Sequence, residues 1–73
     1  VSHTVTAELV AGVLKIEVDV GARVTAADPV AVLESMKMEI PVLAEVDGVV
    51  TEIVAAPGDV VTEGDPLVVI EEE

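Results

Sequence analysis

Seventy-three residues suffice for one small domain, which buries only about 60% of the surface its unfolded chain exposes, so its core must be thin. Fifteen acidic residues against three basic ones give a net charge of −12, which repels phosphate backbones and anionic membrane surfaces and excludes nucleic-acid binding. Cysteine is absent, no apolar run approaches the roughly 18 residues of a membrane span, and the first residues lack signal-peptide character; a cytoplasmic domain without disulfides or thiolate metal sites is expected.

Hydrophobic residues make up 52% of the chain, which argues against disorder, and 18 valines with no aromatic residue suit strands better than helices. In chain order, residues 4–8 read as the first strand and Gly12 as a turn. Residues 13–20 alternate, with Leu14, Ile16, Val18 and Val20 expected on the buried face and Lys15, Glu17 and Asp19 on the other. After turns at Gly21 and Asp28-Pro29, strands are expected over 30–35 and 38–44. Asp47-Gly48 leads into 49–55, and Pro57-Gly58 and Gly64-Asp65-Pro66 lead into 67–71; Glu71-Glu72-Glu73 reads as a solvated tail.

These turns recur. Ala7-Glu8 and Ala44-Glu45, Gly21 and Gly58, and Asp28-Pro29 and Asp65-Pro66 are each 37 residues apart, while Gly12 and Gly48 are 36 apart. The single domain over 1–73 therefore reads as a duplicated unit, roughly 4–34 and 41–71, with Glu52 standing untidily where Ile16 stands in the first half. So short a repeat cannot bury its own apolar face, so the halves are expected to interlock about a pseudo-twofold axis as two small antiparallel sheets. That axis relates Lys37 to the region of the chain ends and sets it opposite them.

Little in the chain supports intrinsic catalysis. His3 has only Ser2 and Ser35 as potential nucleophiles, and neither lies in an activated-serine motif. The carboxylates lack the spacing of a calcium loop, and the glycines that of a phosphate cradle. What remains is Glu34-Ser35-Met36-Lys37-Met38-Glu39, at the junction of two expected strands. Each feature alone has an ordinary explanation: turn lysines solubilise surfaces and methionines fill gaps in cores. Their conjunction, at a tip where hairpins prefer Asn-Gly or Asp-Gly, does not. The flanking Glu34 and Glu39 favour the ammonium form, so the reactivity of Lys37 must come from elsewhere. Lys15, on the polar side of a strand, is an ordinary surface lysine.

The hexapeptide and the surrounding turns resemble the biotinyl (biotin carboxyl carrier) domain family, whose signature is Ala-Met-Lys-Met, here with Ser35 in place of alanine. Lipoyl domains share the fold but usually carry Asp-Lys-Ala, so the paired methionines favour biotin. The resemblance is closest to small stand-alone biotinylated proteins without the "thumb" segment of some carriers. It implies an all-β fold, a flattened barrel of two four-stranded antiparallel sheets, with biotin joined covalently to Lys37. It also implies three partners: a biotin protein ligase, a biotin carboxylase and a carboxyltransferase. Met36 and Met38 would flank the attachment point, and Glu34, Ser35 and Glu39 would serve ligase recognition. A lipoyl carrier and an unmodified interaction module with the same fold are the alternatives.

Overall fold

The computed structural model describes all 73 residues as eight strands without a helix. They are β1 (Ser2–Thr6), β2 (Ala11–Ile16), β3 (Arg23–Val24), β4 (Pro29–Ser35), β5 (Met38–Leu43), β6 (Gly48–Ile53), β7 (Val60–Val61) and β8 (Pro66–Glu72). Two four-stranded antiparallel sheets form, in the orders β1-β8-β6-β3 and β5-β4-β2-β7. The barrel-sandwich architecture expected from the resemblance is therefore present, in a body of 35 × 17 × 16 Å.

Aliphatic side chains fill the interior in two clusters. One gathers Val5, Val24, Val30, Ala31, Ala44, Val50, Val68 and Ile70, and the other gathers Ala7, Ala11, Val13, Leu33, Ala55, Val61 and Leu67. Strand β4 runs from the first cluster, at Val30 and Ala31, to the second, at Leu33, and its far end becomes the β4–β5 turn. Strand β8 runs the other way, from Leu67 to Ile70, and ends the chain. The turn at residues 36–37 and the chain ends thus lie at opposite ends of the body.

Four readings of the sequence need correction. Gly12 is not a turn; it lies within β2, which begins at Ala11. The buried face of β2 is Ala11 and Val13, not Leu14 and Val20, both of which are exposed. A β-bulge turns Leu14 outward: the ladder passes from Val13 to Lys15 with one residue extra, and the inward face shifts to Ile16, whereas Val20 lies beyond β2, in the turn with Gly21. The bulge recurs at Thr51, between Val50 and Glu52. With bulge set against bulge, Ala11 matches Gly48 and Lys15 matches Glu52, so the 37-residue spacing holds throughout and Glu52 is no anomaly. Finally, the expected acidic tail is ordered: β8 continues to Glu72, whose amide donates to the Val1 carbonyl at 2.7 Å.

Turns follow the same repeat. The amide of Thr25 donates to Asp28 Oδ2 and that of Thr62 to Asp65 Oδ2, both at 2.9 Å, so an aspartate closes the corresponding turn in each half. The two-residue strands β3 and β7, too short to have been seen as alternation, each pair with a long strand of the other half.

Gly48 marks the tightest backbone approach. A Cβ there would lie 2.1 Å from the Glu71 carbonyl oxygen, whereas a Cβ on Gly12 would meet nothing nearer than 4.0 Å. Gly48→Ala should therefore cost about 3 kcal/mol, because backbone has to move, and Gly12→Ala no more than about 0.5 kcal/mol. Urea denaturation of the two variants checks the contrast, and equal losses would contradict it.

Candidate functional site

The β4–β5 hairpin closes at the Ser35↔Met38 pair, leaving Met36 and Lys37 as a two-residue loop. Their φ angles are +53° and +65°, the pattern of a type I′ turn, which matches the right-handed strand twist but normally takes Asn-Gly. Side chains bearing a Cβ pay for this left-handed conformation, about 1–3 kcal/mol each, and such strain persists only where surrounding structure enforces it. Here the enforcing structure is β4, whose Val30, Ala31 and Leu33 are fully buried. The ladder fixes Leu33 against Val13 on one side and Ile40 on the other, so the tip is carried on the stiffest part of the sheet.

All six residues of the hexapeptide fall together on this tip. Met36 is 91% exposed and Met38 62%, and neither belongs to a core cluster. Lys37 is exposed and forms no ion pair, whereas Lys15 lies 3.5 Å from Glu17 Oε1 and Arg23 binds Glu73. Lys37 thus carries the one basic side chain that no carboxylate engages. Glu34 and Glu39 sit directly opposite each other across the ladder, exposed, where like charges repel. Ser35 is half-buried and makes no side-chain hydrogen bond.

Chemically, the tip offers a primary amine on a flexible stem, flanked by two polarizable thioethers and bordered by two carboxylates. Nothing overhangs it. Residues 17–22, between β2 and β3, are the same number as their counterparts 54–59, so no inserted thumb is present. A separate cleft of about 230 Å³ opens between the edge strands β1 and β5, lined by Thr6, Leu9, Ile40 and Leu43 among others; Lys37 does not line it. His3, whose Nε2 lies 3.4 Å from Glu45 Oε1, belongs to the chain-end half and takes no part in the tip. Sequence reading located every residue of the tip but missed the positive φ at Met36 and Lys37. The only sequence signal for it was the two-residue gap between strands.

Comparison with known proteins agrees with this geometry. A family model described as "Biotin-requiring enzyme" matches residues 3–70. The biotinylated protein TB7.3 homolog of Mycobacterium leprae is 46% identical over 69 residues, covering 94% of this chain and 97% of that protein. Among solved structures, a single-chain, multi-domain long-chain acyl-CoA carboxylase superposes with a TM-score of 0.92 at 30% identity, over 99% of this chain and 7% of that one. The lipoyl domain of the 2-oxoglutarate dehydrogenase complex from Azotobacter vinelandii superposes with a TM-score of 0.74 at 28% identity, over 93% and 96% of the two chains.

If the tip is strained for display, a turn-optimised sequence should relieve it. Met36→Asn with Lys37→Gly should raise stability by about 1–2 kcal/mol in urea denaturation, and an unchanged midpoint would contradict the strain. Met36→Leu with Met38→Leu should alter stability by less than about 0.5 kcal/mol, since both side chains are exposed.

Proposed function

The chain belongs to the family of biotin-requiring domains that residues 3–70 match, and on that premise we propose that it is a biotin acceptor and carboxyl carrier, modified at Lys37. The observation that carries this reading is the unpaired, exposed lysine on a turn whose two central residues are both held at positive φ. The residues present fit the group: the amine is free for an amide bond, and no neighbouring segment blocks an attached arm.

A biotin protein ligase is the proposed first partner. The ligase would join biotin to ATP as the biotinyl adenylate, releasing pyrophosphate; the Lys37 amine, its ammonium proton passed to solvent, would then attack the adenylate's carboxyl carbon and lose a second proton as the amide forms. The amide C–N bond forms, the C–O bond to the adenylate phosphate breaks, and AMP leaves. The amide also removes the positive charge of Lys37. Glu34, Ser35 and Glu39, with the two methionines, are proposed as the nearest surface the ligase meets. When bound, biotin would supply a carboxyl carrier group, loaded by a biotin carboxylase and unloaded by a carboxyltransferase.

The protein itself acts as a carrier and not as a catalyst in this reading. Its residues do two things. The buried part of β4 holds the attachment point rigidly, and the exposed turn lets the arm sweep freely, so that covalent tethering replaces diffusional encounter with a high effective concentration. The same reading assigns the chain to the cytoplasm, where ATP is available for ligation.

Incubation of the full chain with ligase, biotin and ATP should add one biotinyl group by intact mass. Lys37→Ala and Lys37→Arg should each remain unmodified. Addition at Lys15 in those variants would overturn the assignment, and a lipoyl mass on protein isolated from cells would replace biotin by the alternative cofactor.

A further inference from the structure

The duplication supplies an internal comparison between the two ends of the body, because each position in one half has a counterpart 37 residues away in the other. Four positions differ in one direction, against one, Leu43 opposite Thr6, in the other. Val10, Leu14, Val54 and Val60 are 63%, 41%, 45% and 75% exposed. Their counterparts are Asp47, Thr51, Glu17 and Arg23. Each counterpart has a polar partner: Asp47 Oδ1 accepts from the Ala26 amide at 2.8 Å, Thr51 Oγ1 donates to the Val69 carbonyl at 3.2 Å, Glu17 pairs with Lys15, and Arg23 pairs with Glu73. The fold therefore accepts polar side chains at all four places, and burial does not explain the apolar ones.

These four residues lie in the Lys37 half of the body, next in sequence to Ala11, Val13, Ala55 and Val61 of the cluster that holds Leu33. The register aligns Glu39, Glu34, Gly12 and Val60 in one row across β5, β4, β2 and β7. At about 4.8 Å per strand, Val60 stands about 10 Å from Glu34. Gly12 leaves bare backbone between them, and Leu14 lies two residues along β2. Beside Val60, a shallow depression of about 290 Å³ is lined by Val54, Val60 and Pro66, with Asp59 and Asp65 at its border. Both aspartates are already engaged in closing turns, each accepting a backbone amide at 2.9 Å.

We propose that this depression, with Val10 and Leu14 beside it, is a docking surface for the ligase that modifies Lys37, and that it receives an apolar side chain flanked by basic residues. This inference rests on the carrier reading. Reach selects the ligase over the carboxylase partners: the bare amine ends a four-carbon stem, so its acylation forces the ligase against the body of the domain, whereas a loaded arm extends the reactive group away from it. Charge selects the chemistry of the occupant. The surface combines exposed valines with Glu34 and Glu39 in a chain of net charge −12, the inverse of an apolar knob in a basic rim.

The counterparts also dictate the test. Val54→Glu with Val60→Arg installs what the opposite end already carries at equivalent positions and leaves the net charge unchanged. Biotinylation kinetics of the full chain with ligase, biotin and ATP should show KM for the carrier raised about tenfold or more, with kcat within about twofold. The reciprocal variant, Glu17→Val with Arg23→Val, should keep wild-type kinetics, since exposed ion pairs contribute little to stability. Chemical acylation of Lys37 by a biotin hydroxysuccinimide ester should proceed equally in all variants. Should Val54→Glu with Val60→Arg prove unfolded by circular dichroism, the near-isosteric Val54→Thr with Val60→Thr takes its place, and its KM should rise at least about threefold. A folded surface variant with wild-type KM, or an equal loss in the reciprocal variant, overturns the docking surface alone. A wild-type chain that accepts no biotin overturns the carrier reading and this inference with it.

Discussion

Neither half of this chain can complete a sheet without the other. Each four-stranded sheet takes two strands from each half, and the short strands β3 and β7 find partners only across the repeat, on β6 and β2. The apolar faces are likewise shared, with Val5 and Val24 packing among Val50, Val68 and Ile70, and Val13 and Leu33 among Ala55, Val61 and Leu67. A domain of this size, with no disulfide and no aromatic side chain, has little other source of stability. Interlocking makes folding a single event, and it gives β4 partners on both sides, β2 and β5. The rigidity of the Lys37 hairpin follows from that central position.

The hairpin uses part of this stability. Two residues with side chains occupy left-handed backbone at the tip, and two carboxylates face each other one step below it. Both arrangements oppose folding, and neither contributes to the core. An ordinary turn would carry Asn-Gly and place one acidic residue opposite a basic one. Of the three non-glycine residues at positive φ, Met36, Lys37 and Glu45, two fall within residues 34–39, where the display of an amine is the one feature that the rest of the fold does not require. Strain of this kind clusters at functional sites in proteins generally, because it persists only where the surrounding structure enforces it.

What was legible in the sequence follows the same division. Long strands were read to within a few residues, because β-branched apolar runs bounded by Gly, Pro and Asp turn signals are a strong signal. The bulges were not, since an extra residue at Leu14 reverses the inward face without leaving a mark in composition. That one residue turned Leu14 outward, while Val20 is exposed because it lies in the turn beyond β2. Strands β3 and β7 were invisible because two residues cannot alternate, and their existence depends on partners supplied by the opposite half. The tip was fully legible, since six consecutive residues and a two-residue turn leave no tertiary freedom in which to scatter them. The apolar surface beside it was not, because its members come from the segment before β2, from β2 and β7, and from the segment after β6.

Pseudo-symmetry turns that surface into an argument. In a protein with one copy of each element, an exposed valine needs no explanation, because most of any protein surface is apolar. Here the fold presents the same backbone environment twice, and the two copies have diverged. At the chain-end half the positions carry side chains that form hydrogen bonds and ion pairs; at the Lys37 half they carry aliphatic side chains left 41–75% exposed. Stability alone would favour the same solution at both ends. The difference fits a surface that meets something at one end and not at the other, and that end is the one bearing the free amine of Lys37 and the chain's two thioethers.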